Sequence, residues 1–313
     1  MSYQNVSTPR FYINIPEWLE SIGITSLYQD FLRTLPINPQ LASPYIFTDG
    51  FLTLPPLQGM TDNGFIAMLG HNYGNLSDEY NYFQIREEDD ILPQQEIVNC
   101  SSGDSGVIPM SGFSIAKFLG NNNITDIFIR YAEPPLYIGS IVFGIYYDMP
   151  VAPDLSLSLE HDYSGIKKTT SMSGASFTNA NWIKPPKWGD KEAWQLGDFP
   201  RPYSGRRVWN LSFSYISDSD LEPRNYTGTT DDTPPQQGDD NWFENVLHYT
   251  MGGHLPFIFQ PNKDATYTWT DEDPPHITEI PEFAICRFDM KSFSRKQVSP
   301  NIYSIKIKIK ESW

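Results

Sequence analysis

The chain carries only two cysteines in 313 residues, Cys100 and Cys286. One pair so far apart supplies no disulfide framework, and two reduced structural thiols are the simplest reading. No run approaches the ~18 consecutive apolar residues of a membrane-spanning helix, so no such span is expected. Met1 to Arg10 lacks the charged start and apolar run of a secretory signal, so none is expected there. Basic residues are scarce: 22 Lys and Arg against 38 Asp and Glu leave a net charge of −16. That balance argues against a specific nucleic-acid role built on phosphate contacts. It argues equally against docking on anionic lipid. Solubility is its plainest use. Long amphipathic helical patterns are nearly missing as well.

Aromatic residues, by contrast, reach 14%, and there are 26 prolines. That profile fits a loop-rich, mainly β protein. The length favours two domains. Residues 1–43 read as an N-terminal anchor with short helices. The first helix runs from Ile15 to Gly23, with Pro16 near its start and Gly23 past its end. A second covers Ser26 to Leu35. Residues 44–150 read as a sandwich or jelly-roll-like unit of short strands separated by Gly, Asn and Pro. Gly139 to Tyr146 is apolar on both faces and reads as a central strand. Asp148-Met149-Pro150-Val151-Ala152-Pro153 marks the boundary.

Residues 151–313 form the second unit. Leu155, Leu157 and Leu159 alternate with polar residues, as in a half-buried strand. The segment 165–204 is a long insertion holding Trp182, Trp188 and Trp194. It reads as a hairpin or arm reaching toward a neighbouring subunit, or equally as a packed Ω-like loop. Trp209, Leu211, Phe213 and Tyr215 alternate with Asn210, Ser212 and Ser214, which predicts a strand with one dry face. A short helix begins at Asn241, capped by Asp239 or Asp240 and ended by Gly252-Gly253. The last strand sets Tyr303, Ile305, Ile307 and Ile309 against Ser304, Lys306, Lys308 and Lys310. Its lysines discourage stray edge pairing.

Motifs for chemistry are thin. Gly103-Asp104-Ser105-Gly106 has the letters of a serine-protease nucleophile, yet the only upstream histidine, His71, lacks a fitting context, and a turn is simpler. His161-Asp162 and His254 have no partner at metal-ligand spacing. His248 reads as a helix-end cation. Glu87-Glu88-Asp89-Asp90 and Asp271-Glu272-Asp273 lack the pattern of a calcium loop. No catalytic residue, metal site or cofactor is expected.

Five elements occur in a telling order. They are the Arg206-Arg207 strand, the helix Asn241–Gly252, Leu255-Pro256-Phe257-Ile258-Phe259-Gln260-Pro261, Phe283-Ala284-Ile285-Cys286-Arg287-Phe288-Asp289 and the closing Tyr303–Glu311 strand. Their order resembles the tube-like β domain of tailed-bacteriophage tail proteins, distal tail proteins among them, over about residues 155–313. The resemblance implies a β-sandwich flanked by a short helix. It also implies a non-enzymatic virion protein of the tail or baseplate, assembled in the host cytoplasm. Copies would form a homo-oligomeric ring, hexameric by analogy, around the tail channel and dock other tail proteins. On that view Trp182, Trp188, Trp194, Arg206 and Arg207 are candidate subunit-interface residues, the two arginines serving as subunit or intradomain ion pairs. A carbohydrate-binding adhesin using the 44–148 strands is the alternative, with a possible glycan partner. A glycan depolymerase is a lesser one.

Overall fold

A computed structural model describes residues 6–23, 45–47, 50–53, 63–71, 81–87, 90–91, 95–97, 100–103, 106–109, 112–118, 126–131, 136–138, 140–163, 166–180, 187–188, 191–192, 205–222, 241–265, 268–269, 277–279 and 282–312. The protein is mainly β, as its composition predicts. It is built on a large antiparallel sheet with a smaller sheet beside it. The described strands establish these sheets, not a jelly-roll connectivity.

The main sheet contains β1 (Arg10–Asn14), β2 (Gly64–His71), β3 (Gln95–Ile97), β4 (Gly112–Phe118) and β5 (Ser140–Asp148) from the first half. From the second half come β6 (Ser158–Asp162), β9 (Arg206–Ser217), β10 (Phe257–Gln260), β11 (Ala284–Phe288), β12 (Arg295–Ser299) and β13 (Ile302–Glu311). A separate hairpin, β7 (Ile166–Thr170) with β8 (Ser176–Ala180), lies between β6 and β9 in the chain. The order across the sheet is β6-β9-β13-β11-β10-β1-β5-β2-β4-β3, with β12 added along β13. The smaller sheet is formed by Gly50–Thr53, Asp126–Tyr131, Asn81–Glu87, Gly106–Pro109 and Cys100–Gly103, with Asp90–Ile91 at its side.

The ladder passes through both expected units without a break. β1 lies between β5 and β10, pairing Arg10↔Asp148 on one side and Arg10↔Gln260 on the other. Phe11, Tyr12 and Ile13 are all buried, so this strand is dry on both faces. Both its edges then need a backbone partner away from water. The Pro-rich step at 148–153 is tied to the sheet at both ends. Met149 N–H donates to the Pro9 carbonyl (3.0 Å), and Asp154 N–H to the Ser212 carbonyl (2.7 Å).

Two cores result. On one face Phe11, Ile13, Phe143, Trp209, Phe213, Phe257 and Ile307 pack together. On the other, Tyr12, Phe65, Val142, Ile258 and Ile285 do. The helical segment expected after residue 240 covers the first face as a π-helical turn, Phe243–His248. Asn241 supports its start: Asn241 Oδ1 accepts from Glu244 N–H (2.9 Å), and Asn241 Nδ2 donates to Glu244 (2.9 Å). Asp239 and Asp240 lie outside the described residues. Trp242 is fully buried and meets Phe11 edge to face at 5.0 Å. α1 (Ile15–Ser21) forms where Pro16 and Gly23 predict it, with Gly23 at φ 87°. The second N-terminal helix, Ser26 to Leu35, lies outside the described residues.

Two readings of periodicity change. β9 carries an irregularity between Phe213 and Ile216. An extra residue there reverses the alternation beyond it. Trp209, Leu211 and Phe213 are buried as predicted, but Tyr215 is 75% exposed and Ile216 takes the buried place. Leu155 precedes the strand that was expected to hold it and is fully exposed; only Leu157 and Leu159 pack partly on the core.

Candidate interaction surface

Arg207 is held inside its own chain. It is the second residue of β9, and the pairing of Val208 with Lys310 brings it beside the end of β13. Its backbone N–H donates to Glu311 Oε2 (2.9 Å), and its Nη2 donates to Glu311 Oε1 (3.1 Å) and to the Phe283 carbonyl (3.2 Å). The guanidinium also lies 5.1 Å from the centre of the Trp209 ring. Burial works against its charge, but the Glu311 carboxylate outweighs it and holds the pKa above its ordinary value. Of the two roles expected, this is the intradomain one. Arg206 is half-buried and pairs in register with Asp162. Trp188 belongs to a two-residue strand, Lys187–Trp188, while Trp182 and Trp194 lie outside the described residues.

A second buried cation sits on the opposite face of the sheet. Arg10 is paired with Asp148 and stacks 4.6 Å from the centre of the Tyr146 ring. Lys117, on β4, approaches the same ring at 5.2 Å. Burial is the largest influence on Tyr12 and pushes its phenol well up, so it stays protonated and donates to Gln260 (2.7 Å). These groups satisfy one another and tie β1 to its neighbours.

The residues singled out for chemistry are scattered. Gly103 and Gly106 pair across a tight hairpin, which agrees with a turn; Asp104 and Ser105 lie outside the described residues. His161 stacks on Tyr163, and the carbonyl of His254 accepts from Arg287 (2.9 Å). His248 packs 5.3 Å from Trp18, and burial lowers its pKa despite Glu244. The expected helix-end cation is therefore a neutral ring at pH 7. It borders a cleft of about 310 Å³ lined by Phe243, Leu247, Met290, Lys291 and Phe293. Cys286 is buried, and burial raises its thiol pKa well above the ordinary value. Among the described residues no group of three or more His, Cys, Asp or Glu is placed to hold a metal ion. No helix among them is long and apolar enough to cross a membrane.

The surface offers more than the interior. The β7–β8 hairpin falls in the expected insertion, and its described side chains are exposed apart from the half-buried Ser171 at its turn. Register places Lys167 opposite Asn179 and Thr169 opposite Phe177, so these four share one face. Phe177 is 60% exposed, and Met172 at the tip is fully exposed. The tip is ordered: Gly174 N–H donates to the Ser171 carbonyl (2.9 Å), and Ala175 N–H to Ser171 Oγ (3.1 Å). Gly174 has φ 83°, a conformation that suits glycine in a tight turn.

A second surface lies at the far end of β9. Ser214 Oγ donates to Asp154 (2.6 Å), and the residues next to each in the chain, Tyr215 and Leu155, are both exposed. The short helix α2 (Asp218–Leu221) follows, started by the Ser217 side chain. Asp218 is exposed, and Asp220 is half-buried. Tyr215 reaches this surface only because of the β9 irregularity, which strict alternation does not reveal. The hairpin had a readable sign in its Ser173-Gly174 step between Thr-rich stretches. Across protein-family models, curated proteins and solved structures, nothing matches this chain.

Proposed function

We propose that the chain is a structural subunit of a tailed-bacteriophage tail or baseplate. It acts by associating with copies of itself into a ring and with neighbouring tail proteins, without catalysis. One observation carries the reading. The four strands that support the resemblance, β9, β13, β11 and β10, are consecutive neighbours in one sheet. The helical segment of the same set packs on that sheet through Trp242 and Val246. Elements dispersed over about residues 204–311 thus form one contiguous part of the sheet, which supports the reading.

The outer surface supports the same reading. On β13 Lys306 is exposed and Ser304, Lys308 and Lys310 are half-buried, while Ile305, Ile307 and Ile309 are buried. A charged outer face beside an ordered, projecting hairpin suits a component that meets partners at chosen places. The test is direct: sedimentation velocity and negative-stain microscopy of the purified protein over a wide concentration range. Closed rings are expected, and a monomer at every concentration would refute the proposal.

A further inference from the structure

We infer that the β7–β8 hairpin is the arm that joins one copy of this chain to the next. It would dock on the Leu155–Tyr215–Asp218 surface of a second copy. The inference rests on the association reading above and assigns residues to it.

Charge complementarity points to the partner. The chain as a whole carries −16, yet the stretch 166–180 contains Lys167 and Lys168 and no acid. Among the described residues neither lysine has an ion-pair partner. At the other surface Asp154, Asp218 and Asp220 likewise have no ion-pair partner among the described residues. Apolar groups match on the two sides: Met172 and Phe177 on the arm, Leu155 and Tyr215 on the patch, all exposed. A cationic arm with two apolar anchors meets an acidic surface with two apolar contacts. An isolated two-stranded hairpin is marginal in water, so docking also stabilises the arm. Its turn is already hydrogen-bonded, which lowers the ordering cost of association.

Geometry favours a neighbour over the same chain. The hairpin leaves the sheet where Asp162 pairs with Arg206, whereas the patch adjoins Ser212 and Ser214. Roughly 25 Å of β9 separates the two points at ~3.3 Å per residue, and Met172, Phe177, Leu155 and Tyr215 are all exposed, so the arm does not cover the patch of its own chain. Donor and acceptor are different surfaces of one molecule, so the contact can run head to tail as well as by reciprocal exchange between two copies, and a ring needs the head-to-tail form. Repeated, such a contact closes into a ring if the rotation permits and otherwise makes a filament.

The experiment uses the full chain in four forms and sedimentation velocity. The arm variant is Lys167→Glu with Lys168→Glu, and the patch variant is Asp218→Lys with Asp220→Lys. All four positions are at or near the surface, and thermal melts check that both variants fold. Each variant alone should associate roughly tenfold or more weakly than the parent chain. Mixed in equal amounts, they should assemble again, because every arm then meets a surface of opposite charge. Phe177→Ser should weaken association without rescue by the patch variant. A parent chain that is monomeric throughout overturns both this inference and the association reading. A parent that forms rings, with variants associating equally well or failing to recover on mixing, overturns this inference and leaves the ring intact.

Discussion

Replacing Glu311 with Leu tests how the end of the chain is fastened. The Arg207 and Glu311 side chains are only 13% and 4% exposed. Removing the carboxylate strands a buried guanidinium, which costs about 3–5 kcal/mol for a pair broken on one side. The Arg207 backbone N–H also loses its acceptor, which accounts for about 1–3 kcal/mol of that figure. Two contacts survive: the Phe283 carbonyl and the Trp209 ring. A partly buried cation–π contact contributes about 0.5–2 kcal/mol, so the net loss should lie near the lower end, about 3 kcal/mol. Against a total stability of about 5–15 kcal/mol that is a large effect.

The double variant, Arg207→Leu with Glu311→Leu, gives the sharper readout. With both charges gone no charge of the pair is stranded, although the backbone N–H at position 207 and the Phe283 carbonyl lose their side-chain partners, and a packed apolar pair often replaces a buried ion pair at little cost. The double change should therefore cost less than Glu311→Leu alone, with a coupling of about 2–3 kcal/mol. Urea unfolding followed by tryptophan fluorescence measures all four corners of the cycle. Dilute protein is needed, since self-association would add its own stabilisation. Single changes below about 1 kcal/mol, or additive ones, would show that the pair is too well solvated for this reasoning.

Three other outcomes follow from the same structure. Gly144→Ala should unfold or severely destabilise the protein, because a Cβ there would run into the Ile13 carbonyl of the adjacent strand; circular dichroism and soluble yield check it. Burial depresses the His248 pKa, so the unfolded state binds the proton more readily. Stability should therefore be full above the ordinary histidine range and fall as pH drops through it, and urea midpoints at pH 7.5 and pH 5.5 should differ less in His248→Gln. Residues 1–150 and 151–313, expressed apart, should each fail to unfold cooperatively but should form a one-to-one complex when mixed. Two independently folded, non-interacting fragments would contradict the continuous sheet.

Local features were the legible part of this fold. β13 announces itself because one face is wet, and Lys306 and Ile307 must differ. β5 reads as central because both its faces are dry. Pro16 and Gly23 mark α1 by backbone preference alone. The errors arise where one inserted residue or one distant neighbour decides. Tyr215 points outward because β9 takes up an extra residue against β13, and no periodic count reports that. The segment after Asn241 carries helical spacing, but its π geometry depends on seating Trp242 against Phe11. Arg207 was visible as a candidate for ion pairing. Its partner, Glu311, was not, since it lies 104 residues away and only the strand register brings it near.

The position of β1 shows why the two halves looked separable. Residues 10–14 pair with 144–148, and 10–13 also with 257–260, so one sheet joins strands from both ends of the chain. Closing a long loop is thermodynamically mild, since each doubling of its length adds only about 0.6 kcal/mol. Burial of Phe11 and Ile13 contributes about 1.5–3 kcal/mol each and easily offsets that term. Kinetically the balance reverses, because distant strand pairings form slowly. Until β1 is in place, β5 and β10 each present an open edge, and β10 is buried at all four of its residues in the finished sheet. Unpaired apolar edges invite wrong pairing during folding. Composition and spacing show the β character of each half because each half supplies its own strands; they cannot show that one strand from the N-terminus completes the ladder. Mixing the two fragments turns that closing step into a bimolecular one, so its rate should rise with fragment concentration, whereas a rate independent of concentration would place the slow event within a single half.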